Sequence, residues 1–262
     1  MPKADFDTHA PDYDEHFSYT LSGRIYRERV QDYLKQILPS HPAQILELNC
    51  GTGEDAFFLS ALGHRVLAID ISGEMIRMAE EKAGSLLNSH GPEFKNLDMR
   101  EISSSAGNFD LVFSNFGGLN CLSPADLKEV LRKIAELLNP GGRLVLVVMP
   151  QYCTWEIVYF FLKMQWKKMF RRKSSQAVKV VIDGATVNTW YYQPSAILKM
   201  LPDFELKKML PIGIALPPPS FNPLLENHPG RLKFFKSWEY RLSSFSFLSG
   251  IADHYLIDLR KA

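Results

Sequence analysis

Residues 45–71 read ILELNCGTGEDAFFLSALGHRVLAIDI. The run opens as a short apolar strand, breaks at NCGTG, continues as a helix near 54–62, and resumes as a strand over 65–70 that ends in an acid, Asp70. A strand, a tight turn, a helix and a second strand make a unit that pairs its strands in parallel. Gly51 and Gly53 allow the main chain to turn sharply after the first strand. They also bring backbone amides to the start of the helix with no side chain in the way.

Working outward, the same alternation continues. A helix is predicted over 72–88, a short strand over 93–97, a fourth strand at FDLVFSNF (109–116), an amphipathic helix over 124–138, and a fifth strand, RLVLVVM, after the break NPGG (139–142). The succession favours a parallel sheet with helices on both faces. Before it, apolar residues from Leu21 to Leu38 recur at helical spacing up to Pro39. After Pro150 the pattern loosens. WEIVYFFLKMQWKKMF (155–170) reads as one aromatic-rich helix, and AVKVVID and ATVNTWYY flank Asp183-Gly184 as a hairpin. A short helix at 195–201, a strand over 204–216, a turn at NHPG around His228 and a last strand, HYLIDLRKA, complete the chain.

The loop alone fits any nucleotide, since Gly51 to Ala56 also reads G-x-G-x-x-A, and a nicotinamide or flavin site stays open on that ground. Asp70 stands where its carboxylate accepts hydrogen bonds from both hydroxyls of a ribose. Glu47 tilts the choice: a carboxylate just before the loop opposes a pyrophosphate but favours the ammonium of an amino acid moiety. S-adenosylmethionine has that ammonium and no phosphate. Asp98, in NLDMRE, is placed to accept the exocyclic amine of an adenine, with Met99 as apolar contact.

These pieces together resemble a class I S-adenosylmethionine-dependent methyltransferase of the small-molecule group. The resemblance is carried by ILELNCGTG, LAIDIS, NLDMRE, FDLVFSNFGGLN and LNPGGRLVLVV, with FDTHAPDYDEHF similar to the group's amino-terminal lid signature. It implies an α/β fold: a Rossmann-like seven-stranded, mostly parallel sheet with an antiparallel last strand and helices on both faces, plus a helical lid and a small antiparallel insertion. The implied division is a lid at 1–40, a cofactor-binding core at 41–150, and a substrate cap with the last strands at 151–262. Glu47, Asn49, Cys50, Gly51, Thr52 and Gly53 would surround the methionine portion, Asp70 and Ile71 the ribose, Asp98 and Met99 the adenine with Met75 beneath it, and Asn115 would face the methionine end. Asn49 departs from the pattern, standing where the family usually has glycine, so that its side chain either crowds the cofactor or adds a hydrogen bond to it. Tyr13 and His254 are the catalytic candidates, with His16 and His228 behind them. Arg24, Arg27 and Arg29 are candidates for the methionine carboxylate, and Asn120 brackets Gly117-Gly118 in the loop leaving the fourth strand.

Thirty basic residues against 29 acidic give a net charge of +1, too balanced for phosphate-backbone binding, so no nucleic acid is expected. Cys50, Cys121 and Cys153 are too far apart for a disulfide framework or a metal site, which fits a reducing cytoplasm, and the polar amino terminus has no signal-peptide core. The expected partner is a small methyl acceptor. Trp155, Tyr159, Phe160, Phe161 and Trp166 either pack as an extra lid or line an apolar acceptor pocket. Alternatively, the stretch 155–173 attaches to a membrane surface, with Lys163, Lys167, Lys168, Arg171, Arg172 and Lys173 facing anionic lipid. A non-catalytic relative of the same fold, for which Asn49 argues, and a nicotinamide-linked oxidoreductase are the competing functions.

Overall fold

The computed structural model describes residues 14–84, 91–182, 185–217, 225 and 228–262. A seven-stranded sheet organises them. Its strands are β1 (Gln44–Leu48), β2 (Arg65–Asp70), β3 (Glu93–Asn96), β4 (Phe109–Ser114), β5 (Leu138–Val148), β8 (Phe204–Ile212) and β9 (His254–Lys261), in the order β3-β2-β1-β4-β5-β9-β8. The first five run parallel, while β9 is antiparallel to both β5 and β8. β6 (Val178–Ile182) and β7 (Ala185–Thr189) form the separate ribbon expected from the hairpin signal; the turn at Asp183-Gly184 lies outside the described residues.

The central strands are apolar on both faces because both are covered. Successive side chains point to opposite sides. Leu46, Leu48, Leu144, Leu146 and Val148 join one core with α4 (Pro124–Leu137) and α6 (Pro194–Met200). Ile45, Val145 and Val147 join the other with α1 (Leu21–Ile37), α2 (Glu54–Ala61) and α3 (Gly73–Gly84). Helix starts follow their caps: the Thr20 hydroxyl accepts from the Gly23 amide and the Ser123 hydroxyl from the Asp126 amide, with Pro124 in the first turn.

Three elements differ from the sequence reading. NPGG does not break before β5 but bulges within it: Leu138 pairs with Phe109, and pairing resumes at Arg143 with Leu111, the intervening residues looping out with Gly141 at φ +75°. The aromatic helix is shorter than 155–170. α5 covers Thr154–Leu162 and ends where the Gln165 amide bonds to Phe160 O and the Met164 amide to Phe161 O, the two bonds of a Schellman stop. Met164, at φ +55°, occupies the position usually taken by glycine, so no punctuation is visible in the sequence. Of NHPG, Asn227 lies outside the described residues; the His228 amide bonds to Leu225 O, His228 is the residue before α7 (Pro229–Leu242), and Pro229 opens the helix. The inner face of α7 carries the fully buried Glu239, whose carboxylate accepts from the amides of Gly213, Ala215 and Leu216, which interrupts the apolar stripe that would have announced a helix. The predicted helix over 72–88 is seen through Gly84, and the strand from 204 ends at Ile212.

Candidate functional site

β1 has β2 on one side and β4 on the other, so the strand order reverses there and opens a crevice at the carboxyl ends, the place where open α/β sheets bind ligands. The residues of the glycine loop lie at this point. Asn49, Gly51 and Gly53 all have left-handed backbone, at φ +47°, +55° and +85°. A side chain on Gly53 would come within 2.8 Å of the Phe94 ring. The Asp70 carboxylate fixes the loop, accepting the Gly51 amide on one oxygen and the Ser72 amide on the other, each at 2.9 Å. Ile71 beside it is exposed, and Met75 is buried.

Glu47 ends β1 beneath this loop. It is buried, and its Oε2 has no hydrogen-bond partner. Burial first, and then the neighbouring Asp55 carboxylate, push its carboxyl well above the usual range, while Arg27 pulls the other way. An unpartnered buried carboxyl oxygen costs free energy that a donor or cation brought against it would recover. Cys50 is also buried, its thiol pushed up by burial and by Glu47, so it is a poor nucleophile. The Thr52 hydroxyl donates to Asp14 Oδ1 at 2.8 Å, and Lys82 bonds to the other Asp14 oxygen at 2.7 Å. The turn Asp14–Ser18 is thereby tied to the loop at Thr52 and to α3 at Lys82.

Asn49 does not aim at the loop's own cradle. Its Nδ2 donates to the Asn115 carbonyl at 2.7 Å and its Oδ1 accepts from the Ser114 hydroxyl at 2.6 Å, so the side chain bridges the crevice from β1 to β4. Gly118 makes room for it: a Cβ there would lie 2.1 Å from Asn49 Cγ. The Asn115 side chain donates to Asp55 at 2.8 Å. Asp55, in the first turn of α2, also receives Gln31 at 3.0 Å and pairs with Arg27, whose guanidinium lies over the Phe116 ring. Of the three candidate arginines, only Arg27 is drawn to this centre; Arg24 lies over Tyr19 and Arg29 over Tyr240. Asp55, Gln31 and Phe116 were missed by sequence reasoning. The only signal was an acid just after a glycine loop, which a solvent-exposed helix start would equally show.

Asp98 caps the turn Met99–Glu101, accepting the Arg100 amide, and pairs with the Arg100 guanidinium. Burial would raise this carboxyl, but the bonds from Arg100 hold it below its ordinary value. Met99 packs against the core beside it. His254 heads β9, which brings it to the carboxyl edge of the sheet; its ring stands edge-on to Phe116 at 5.6 Å, and Nδ1 is 3.2 Å from Asp253 Oδ2. Asn120 is buried and spent on structure, its amide joining Met149 to Trp190. His228 is exposed before α7, away from these groups' hydrogen bonds, while Tyr13 and the His16 side chain lie outside the described residues. Among the described residues no cluster of His, Cys, Asp or Glu is arranged to hold a metal.

The family model for the methyltransferase domain matches residues 45–142, the span from β1 through the bulge of β5. Residues 45–142 are thus those of a methyltransferase domain. This domain is 32% identical over 152 residues to a malonyl-[acyl-carrier protein] O-methyltransferase of a Marinomonas species, covering 56% of this chain and 50% of that protein. A demethylmenaquinone methyltransferase of Bacteroides fragilis is 30% identical over 147 residues, covering 54% and 57%. The chain thus spans about half the length of the curated relatives it matches. In fold, it superposes on magnesium protoporphyrin IX methyltransferase from Synechocystis, solved with bound SAH, at a TM-score of 0.65 with 14% identity, over 98% of this chain and 96% of that one. The matched span supplies the loop, the acids and the crevice, whereas the residues after 142, β8 and β9 of the sheet among them, lie outside the family match.

Proposed function

We propose that this chain binds S-adenosylmethionine and transfers its methyl group to a small acceptor with an apolar or aromatic body. The buried Glu47 carboxylate with its unpartnered oxygen carries the reading, because it suits a cationic amino acid moiety and opposes a pyrophosphate. Glu47 and the loop of Asn49, Cys50, Gly51, Thr52 and Gly53, with Asn115, would hold the methionine portion; Asp70 and Ile71 the ribose; Asp98, Met99 and Met75 the adenine. The bound cofactor supplies a methyl already activated by the positive sulfonium. What remains for the chain is alignment and exclusion of water. The turn at Asp14, fastened to Thr52, and α1 cover the loop, consistent with a lid at 1–40 over a core at 41–150.

The acceptor side falls to 151–262. Between α5 and α7 lies an apolar groove of about 530 Å³ lined by Trp155, Phe234, Phe235, Pro217 and Leu225. Its floor is continuous with the loop's core, since Leu225 and Phe235 pack in the same cluster as Cys50 and Phe116. Demethylmenaquinone and magnesium protoporphyrin IX, named for two of the similar proteins, are largely apolar, whereas malonyl-[acyl-carrier protein] presents a polar acceptor, so what supports the apolar reading is the groove. For an acceptor that must lose a proton, His254 is our candidate base, its Nδ1 3.2 Å from Asp253 Oδ2, with Tyr13 as its companion from the lid. Titration calorimetry with S-adenosylmethionine tests the cofactor reading: one-to-one binding that Asp70→Ala and Glu47→Ala abolish is expected. No heat and no thermal shift would instead favour the non-catalytic reading, for which the Asn49 bridge across the crevice is the specific observation.

A further inference from the structure

α5 has the sequence TWEIVYFFL, seven of its nine residues apolar, and none of the nine is buried. Its end is more exposed still. Leu162 is 74% exposed, Met164 73% and Trp166 54%, and Phe161 and Phe170 are exposed as well. The neighbouring surface is of the same kind. Trp155 meets Phe235 of α7 at 6.3 Å, α7 exposes Phe234 and Trp238, and Thr154 is bonded to Ile251 O, which brings the turn holding the 77% exposed Phe247 beside the start of α5. Single exposed apolar residues need no explanation, but a contiguous set marks something that covers it.

The charge on this face identifies the cover. Residues 157–182 contain seven basic residues and no acid, in a chain whose net charge is only +1. The fold sorts these bases. Arg172 is buried, bonded to Asp253 and Glu156, and Arg171 pairs with Glu156, so neither faces outward as the sequence reading had it. Lys163, Lys167, Lys168 and Lys173 remain exposed, with no ion pair among the described residues, and Lys163 and Lys168 lie over the rings of Tyr159 and Phe160. Apolar side chains flanked by unpaired lysines suit a surface that is negative outside and apolar just beneath. A second copy of the same face would instead oppose lysine with lysine. No helix among the described residues is long and apolar enough to cross a membrane, so the contact is one of lying on the surface.

We propose that the end of α5 and the segment 163–173 form a docking surface for anionic lipid bilayers, with Leu162, Met164 and Trp166 entering the interface and the four lysines contacting headgroups. The groove between α5 and α7 then opens beside the bilayer, where an apolar acceptor partitions. The test is flotation of the full chain with vesicles of phosphatidylcholine alone or with added phosphatidylglycerol. Binding to the anionic vesicles that weakens with salt is expected. K163Q/K167Q/K168Q should lower partition by on the order of 100-fold, and L162S/W166S should weaken it independently, with unfolding curves unchanged because all five side chains are exposed. No flotation with anionic vesicles, or flotation indifferent to both variants, overturns the proposal. So does a concentration-dependent dimer that L162S/W166S disperses, which would make the face an interface between copies. Calorimetry with S-adenosylmethionine on the same protein is independent of vesicles, so a failure here is distinguishable from a failure of the methyl-transfer reading.

Discussion

Substituting Gly118 by alanine tests the packing at the heart of the site. The added methyl would lie 2.1 Å from Asn49 Cγ, 2.4 Å from its Oδ1 and 2.5 Å from its Cβ, so the Asn49 side chain must leave its place and the loop backbone must shift with it. Leaving breaks two hydrogen bonds, from Ser114 and to the Asn115 carbonyl, each worth about 1 kcal/mol net, and strands the fully buried Ser114 hydroxyl. Gly118→Ala should therefore cost about 2–4 kcal/mol. Asn49→Gly loses the same bonds and strands the same Ser114 hydroxyl but relieves a left-handed backbone that costs a non-glycine residue roughly 1 kcal/mol, for a net loss of about 1–3 kcal/mol. In the double variant the methyl occupies the vacated space, and its stability should match Asn49→Gly alone. The cycle, measured by urea unfolding of all four proteins, should show a coupling of about 2 kcal/mol or more. Additivity within about 0.5 kcal/mol would refute the bridge between β1 and β4.

Glu47, held protonated by burial, should ionise when a cationic ligand arrives, so binding of S-adenosylmethionine should release a proton and tighten as pH rises toward the raised carboxyl value. Calorimetry in buffers of different ionisation enthalpy reads the proton directly, and Glu47→Gln should remove both effects; a pH-independent affinity in the unaltered protein contradicts the assignment. Arg172→Met removes the buried partner of Asp253 and should cost about 3–5 kcal/mol at neutral pH. Against burial, His254 and Arg172 hold the Asp253 carboxyl far below its usual value, so its stabilising contribution is present above the unfolded value near ~3.9 and lost as pH falls through the folded one. The deficit of the variant, followed as Tm against pH, should accordingly shrink on acidification below about pH 4. A deficit constant with pH would show that lost packing, not charge, is responsible.

The core was legible because its signals are local. Short continuous apolar runs that carry Glu47 and Asp70 at or next to their ends, with glycines between, fix strands, turn and crevice with nothing remote needed. The cap was read less well for the same reason. Met164 ends α5 without a glycine to mark it, Pro229 opens α7 from what looks like a turn, and buried Glu239 hides the inner face of that helix. In each case the residue violates its usual statistics because a tertiary partner makes the exception favourable.

The sequence alone determined the alternating order of elements and the acids at the ends of the first three strands, since these depend on neighbours along the chain. Only the tertiary structure decided where Asn49 points, which arginine reaches Asp55, and which bases of the cap stay exposed. Those outcomes rest on contacts between residues far apart in the chain: Asn49 with Ser114 and Asn115, Arg27 with Asp55, and Arg172 with Asp253. A side chain's direction is set by the partner that satisfies it, and no periodicity along the chain encodes a partner that folding alone brings near.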